Sequence, residues 1–361
     1  MPPVRASRPA KRPWVAPLKL VLRLSVMGVG LGVITGTGLR LLAPRLALGA
    51  SSQSTPKEPA PGFGAALAGP GAKGAAALGS FEPRSEITAL SRQWQRLAAV
   101  HKDLTASGYL LVLDDGRFAQ LQSTLPLPAA SSIKTPILLV ALQAFDSGRL
   151  RWNEPLAMTK EVVGGGAGWM ASRPVGTRFP FFEAATEMIR VSDNTATNLL
   201  IKRLGGKTAV NAQFTALGLS GTVINNWLPD LDGTNTTSAH DLARAIALVD
   251  TAKQLGPRGR DLFREVLSTS RTNTLIPLGL LQGLGQDSAE PDSELRALGI
   301  TVYNKTGDIG IAYADAALVQ LPTGARAVLA LMVKGPFNDP RSTDLIRAMA
   351  AEVSKTLVGR R

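Results

Sequence analysis

In residues 84–361 the strand-like segments lie at the two ends and the helical segments lie between them, an order that few folds can satisfy. At the front, Ser85 to Val100 carries apolar residues at helical spacing. Gly108 to Leu113, a turn at Asp114-Asp115-Gly116 and a second run from Phe118 to Gln122 then read as a β-hairpin. At the back, Thr301 to Lys305, Ala312 to Gln320 and Ala327 to Lys334 are strand-like, with turns at Gly307 to Gly310 and Pro322 to Gly324. A helix over Pro340 to Leu357 closes the series. The interval holds helical stretches at Lys134 to Ser147, Phe182 to Val191, Thr195 to Leu204, Thr208 to Leu217, Ala239 to Thr251 and Gly259 to Leu267. The pattern predicts an α/β (α+β) protein: one antiparallel sheet built from both chain ends, flanking helices, and an inserted helical subdomain.

The part before residue 84 obeys different rules. The chain carries a net charge of +13, yet residues 1–50 supply +8 of it through Arg5, Arg8, Lys11, Arg12, Lys19, Arg23, Arg40 and Arg45, with no acid. The rest holds 32 basic and 27 acidic side chains and no dense basic stripe interleaved with aromatics, which argues against a nucleic-acid partner. Leu24 to Leu39 is a charge-free run of 16 residues, short of the roughly 20 that span a bilayer. Arg23 and Arg40 can snorkel outward and lengthen it. Residues 18–42 therefore read as an inner-membrane anchor behind a basic cytoplasmic leader at 1–17. The alternative is a cleaved secretory signal ending near Gly49-Ala50. Either reading puts the remainder on the extracytoplasmic, periplasmic face. Residues 43–83, rich in Ala, Gly, Pro and Ser, read as a tether, and 84–361 as the folded domain. There is no cysteine, so neither a disulfide framework nor a thiolate metal site is available.

Three short strings carry the chemistry: Ser131-Ser132-Ile133-Lys134, Ser192-Asp193-Asn194 and Lys305-Thr306-Gly307. A spacing of three puts Ser131 and Lys134 on one helix face. A serine hydroxyl needs a neighbouring base at neutral pH, and Lys134 can serve once burial and nearby cations lower its pKa. One such string is weak evidence, because Ser54-Thr55-Pro56-Lys57 also fits S-x-x-K inside the tether. Three in order are far more specific, and together they resemble the class A β-lactamases and their penicillin-binding relatives.

That resemblance covers roughly Ser85 to the C-terminus and implies a two-lobed fold with the site in the cleft between lobes. It implies that Ser131 is the nucleophile and Lys134 its base, that Ser192 relays a proton to the leaving nitrogen with help from Lys305, and that Asn194 holds a substrate carbonyl. Thr306 is expected to offer a hydroxyl to a substrate carboxylate and Gly307 to let substrate backbone lie close, and the resemblance implies an oxyanion hole from the N–H groups of Ser131 and Asp308. Arg271, six residues before Pro277, is a candidate second partner for the carboxylate. Trp169 follows a glycine-rich loop, where it either packs beneath that loop or stacks at the cleft mouth. Asn198 is expected to anchor a neighbouring loop.

One position departs from the resembled pattern. The hydrolytic members carry a glutamate before a proline between the second and third strings, and here that place is taken by Leu228 in Trp227-Leu228-Pro229-Asp230-Leu231-Asp232. Glu154-Pro155-Leu156 imitates the missing string but lies before Ser192, in the wrong order. Asp232 is the nearest substitute for a deacylating base. Asn226 and Asn235 stand where an ion pair usually ties the loop, so a more mobile loop is expected.

The function read from these residues is a class A β-lactamase-like serine hydrolase acting through a Ser131 acyl-enzyme on β-lactams or related amides. The alternatives are a peptidoglycan D-Ala-D-Ala peptidase or slowly deacylating penicillin-interacting protein, and, third, a non-catalytic cell-wall-binding scaffold. The expected partners are a small β-lactam or a peptidoglycan stem peptide and the inner membrane, with the protein a monomer. No cofactor is expected. The two histidines, His101 and His240, neighbour no G-x-S-x-G and no carboxylate cluster, which speaks against a Ser-His-Asp site and against a metal.

Overall fold

A computed structural model describes residues 82–250 and 254–359. The expected leader (1–17), anchor (18–42) and all but the end of the tether (43–83) lie outside the described residues. Among those described, no helix is long and apolar enough to cross a membrane.

The central sheet has six strands: β1 (Ser85–Glu86), β2 (Thr105–Val112), β3 (Arg117–Leu121), β4 (Thr301–Asp308), β5 (Ala312–Gln320) and β6 (Arg326–Lys334). Their spatial order is β1-β3-β2-β6-β5-β4, so the two chain ends meet at the β2–β6 seam, where Thr105 pairs with Lys334 and Val112 with Ala327. The expected sheet of both chain ends is present, with one correction. Its outermost pair, β1–β3, is parallel, because Ser85–Glu86 runs along Arg117–Phe118 as it leads into the first helix. Ser85 and Glu86 are thus strand rather than the start of that helix.

Among the described residues the helices are α1 (Thr88–Ala99), α2 (Lys134–Asp146), α3 (Phe181–Arg190), α4 (Asn194–Arg203), α5 (Gly206–Ala216), α6 (Ala239–Asp250), α7 (Pro257–Ser268), α8 (Ile276–Gly283), α9 (Pro291–Ala297) and α10 (Pro340–Leu357). The sheet is apolar on both faces, so its strands read as continuous hydrophobic runs rather than alternating ones. Leu110, Leu329 and Leu331 join α1, α8, α9 and α10 in one core, and Tyr109, Leu111 and Met332 face the larger helical lobe in the other. Trp94 of α1 is fully buried in the first, its indole N–H donating to the Met349 carbonyl of α10 at 2.9 Å. Helix α2 runs through the second and is buried on nearly every side, as its near-continuous apolar sequence demands.

Helices α8 and α9 have no counterpart in the sequence reading. Gly279 and Gly283 sit inside or at the end of α8, and glycine is a poor helix former. They are there for packing: a Cβ on Gly279 would come within 2.5 Å of the Arg347 carbonyl of α10. Strand β4 also runs past Lys305 to Asp308, so the Lys-Thr-Gly string is strand throughout rather than the start of a turn.

Candidate active site

Ser131 lies in a 3-10 turn, Ala130–Ile133, that feeds directly into α2. Ala130, just before it, has a positive φ of 47, a conformation that costs a non-glycine residue energy and that the surroundings must impose. The Ser132 hydroxyl pins the turn by donating to the Ala129 carbonyl at 2.6 Å.

Lys134 opens α2, fully buried. Its Nζ stands 2.9 Å from Ser131 Oγ, 3.0 Å from Ser192 Oγ, 2.6 Å from the Ser192 carbonyl and 2.8 Å from Asn194 Oδ1. Burial, and then the positive charge of Lys305, holds its pKa well below the usual lysine value, against a smaller opposing pull from Asp193. A neutral amine in this place donates to the Ser192 carbonyl and Asn194 Oδ1 and keeps its lone pair for the Ser131 proton.

Ser192 has a φ of 60 and sits between α3 and α4. The cap of α4 is Asp193, not Ser192: its Oδ1 accepts from Ala196 N at 2.8 Å, and its Oδ2 accepts from the N–H groups of Trp169 and Met170 at 2.7 and 2.8 Å. The glycine-rich loop is built around that carboxylate. Gly168, at φ +85, leaves no room for a side chain, since a Cβ would lie 2.1 Å from Asp193 Oδ2. Asn194 is shared between the Lys134 amine and the same loop, with Nδ2 donating to the Gly165 carbonyl at 2.8 Å. Trp169 packs under the loop, its indole N–H donating to Glu187 at 2.7 Å and its ring meeting Phe179 edge-on.

Lys305 reaches the site from β4, buried, with Nζ donating to the Thr306 carbonyl at 2.8 Å. Burial lowers its pKa to about 8, against the opposing charge of Asp315. Gly307 also packs closely within the protein. A Cβ there would come 2.7 Å from Ser132 N and 3.0 Å from the Ala129 carbonyl, so the missing side chain lets β4 press on the turn that carries Ser131. Asp308 follows it at the strand end. In Gly307→Ala the turn and strand must part, and we expect a stability loss of about 1–3 kcal/mol with acylation lost in parallel, read by thermal melting and intact mass.

Arg271 is exposed; its N–H donates to the Arg190 carbonyl at 3.3 Å and its charge acts on Glu187, which places it beside the end of α3 that leads to Ser192. Glu187 titrates below its usual value; burial opposes this, and the hydrogen bonds from Arg190 and Trp169 outweigh it.

The loop bearing Leu228 is tied down by side-chain amides and a buried carboxylate. Asn198 clamps residue 228 from both sides: Leu228 N donates to its Oδ1 at 2.9 Å, and its Nδ2 donates to the Leu228 carbonyl at 2.7 Å. The Leu228–Pro229 bond is cis. Instead of an ion pair, Asn235 Oδ1 accepts from the N–H groups of Asn225 and Asn226 at 2.7 and 2.8 Å. Buried Asp230 accepts from Asn235 N at 2.6 Å and Thr234 Oγ1 at 2.8 Å. Leu228 itself is buried, and Asp232 is exposed at the loop's outer turn. Asn198→Ala strips partners from buried backbone groups at about 1–3 kcal/mol each, and hydrogen exchange at residues 226–235 should rise sharply.

The architecture and this serine–lysine arrangement define a class A β-lactamase-like α/β protein. A model of the beta-lactamase enzyme family matches residues 89–357, and the chain belongs to that family of hydrolases. A β-lactamase of Streptomyces cellulosae is 27% identical over 354 residues, 94% of this chain and 98% of that protein. One from Amycolatopsis lactamdurans is 28% identical over 280 residues, 76% of this chain and 84% of that protein. Among solved structures, PBP-A superposes with a TM-score of 0.71 at 40% identity, over 77% of this chain and 99% of that one. A leucine-to-glutamate variant of PBP-A, solved as an acyl-enzyme complex with penicillin G, gives 0.70 at 40% identity over 76% of this chain and 98% of that one. An ancestral class A β-lactamase shares the fold at 22% identity and a TM-score of 0.64, over 74% of this chain and all of that one.

Proposed function

We propose that this protein is a serine hydrolase of β-lactams and related amides that forms an acyl-enzyme on Ser131 and clears it slowly. The observation that carries the reading is the buried Lys134 Nζ, 2.9 Å from Ser131 Oγ and 3.0 Å from Ser192 Oγ. Lys134 takes the Ser131 proton as Oγ bonds to the carbonyl carbon. Ser192 then delivers its proton to the nitrogen as the C–N bond breaks and receives in its place the one that Lys134 took, across 3.0 Å, which leaves Lys134 neutral again. The N–H groups of Ser131 and Asp308 receive the oxyanion, while Lys305, Thr306 and Arg271 hold the substrate carboxylate. Asn194 gives up its bond to Gly165 to meet a substrate carbonyl.

Slow release follows from the loop, whose residue 228 offers an apolar side chain and whose Asp232 is turned to solvent. The acylated PBP-A variant with penicillin G supports a β-lactam as ligand. A peptidoglycan stem peptide ending in a carboxylate fits the same grip. We place the domain outside the cytoplasmic membrane, as a monomer, tethered through residues 18–42.

Time-resolved intact mass with a penicillin tests this directly. A stoichiometric adduct that persists and is absent in Ser131→Ala is expected. No adduct with several penicillins and cephalosporins would falsify the acyl-enzyme reading. Rapid multiple turnover would replace slow release with efficient hydrolysis, the reading favoured by the relatives named β-lactamase.

A further inference from the structure

A carboxylate stands behind the strand that grips substrate. Asp315 lies on β5 opposite Thr306 of β4 and Leu331 of β6, and it is completely buried. Its Oδ2 accepts from the Ile276 N–H at 2.9 Å and from the Asn304 amide at 3.1 Å, and its Oδ1 accepts from the same amide at 3.0 Å. That amide also donates to the Thr272 carbonyl at 2.8 Å. The segment from Thr272 to Ile276 is thus fastened at both ends to one acid–amide pair, and Arg271 is the next residue along.

We propose that Asp315 is a positioning residue for the substrate-carboxylate grip: ionised, it fastens the segment that carries Arg271 and supports the charge of Lys305, and protonated, it lets go of both. The proposal rests on the acyl-enzyme reading above. Every group bonded to the two oxygens, the Ala316 N–H included, is a donor. A proton on either oxygen therefore forces a donor aside.

The charged group that acts on Asp315 from β4 is Lys305, which pairs with the next residue, Ala316; β6 presents Leu331 and α8 the Ile276 N–H. Lys305 acts in turn on Lys134 of α2, which also feels Asp193. Burial outweighs these partners and pushes the Asp315 carboxyl up to about 7, so both forms are populated near neutrality.

The test follows acylation of the full-length protein by benzylpenicillin and by its methyl ester from about pH 5 to about pH 8, separating affinity of the first complex from the rate of the acylation step. In the wild type, affinity for the acid is expected to weaken about tenfold as pH falls through this range, while affinity for the ester stays flat. Asp315→Asn should lose that pH dependence and Asp315→Glu should restore it. The melting temperature of Asp315→Asn relative to wild type should rise with pH. A carboxyl raised from 3.8 to about 7 makes the wild type lose stability across that window, whereas a purely structural tether gives the opposite sign. A flat wild-type profile, or one equal for acid and ester, overturns the proposal with no variant needed. So does a variant that keeps the wild-type profile. Failure to form any Ser131 adduct at any pH sinks the acyl-enzyme reading instead.

Discussion

With Lys134 replaced by alanine, Ser131 is expected to be acylated by penicillins roughly 10²–10⁴-fold more slowly. The Nζ is the basic group bonded to Ser131 Oγ, at 2.9 Å. Removing it also bares the Ser192 carbonyl and Asn194 Oδ1, so a loss of activity could arise from a collapsed cleft. Lys134→Arg separates the two causes, because guanidinium keeps donating hydrogen bonds but does not give up its proton near neutrality. Both variants should therefore acylate slowly, while only the alanine variant melts much earlier. Acylation by the wild type should rise with pH through a value well below 10.5, as the amine loses its proton. Stability carries the same sign. The unfolded chain holds a proton that the folded lysine has released, so this group makes the fold more stable as pH climbs toward 10.5. Near-wild-type acylation by Lys134→Ala would remove the base from the mechanism.

The second large effect is expected at Leu228. In Leu228→Glu the lifetime of the penicillin adduct should fall roughly 10²–10⁴-fold, because a carboxylate at this place can activate the water that attacks the ester. The substitution is unusually well posed. Asn198 grips residue 228 through its backbone N–H and carbonyl, at 2.9 and 2.7 Å, so the side chain can change while the loop keeps its place. The new carboxylate is buried, and some loss of thermal stability is the expected accompaniment. Intact mass after removal of free penicillin reads the lifetime. An adduct that forms normally and persists as long as in the wild type would show that the missing glutamate is not what limits release.

What could be read from the sequence was whatever one segment states about itself. Helix α10 and strand β5 begin and end where their patterns do, since each is long and bounded by Pro or Gly. Helix α2 was legible from its apolar run. Features that depend on a distant neighbour were hidden. Gly279 looks like a helix breaker until the Arg347 backbone lies against it, and Gly307 resembles a turn glycine until Ser132 N stands 2.7 Å from its absent Cβ. The ties of the loop around Leu228 are hidden for the same reason: paired charges are visible in a sequence, whereas an amide such as Asn235 bonding to two backbone N–H groups is not. Asp315 did leave a trace, as the lone acid in the strand Ala312–Gln320, but strand periodicity alone did not say what stood behind it.

The seam between β2 and β6 sets a timetable for biosynthesis. Thr105 is made long before its partner Lys334, and contacts so distant in sequence delay folding. Ser131 and Lys134 emerge long before Gly307, against whose strand the turn of Ser131 rests. A nascent chain therefore carries Ser131 before β4 can close on its turn, and a stop anywhere before β6 leaves the middle of the sheet as an open edge. The sheet that supports the site is complete only once β6 has joined β2.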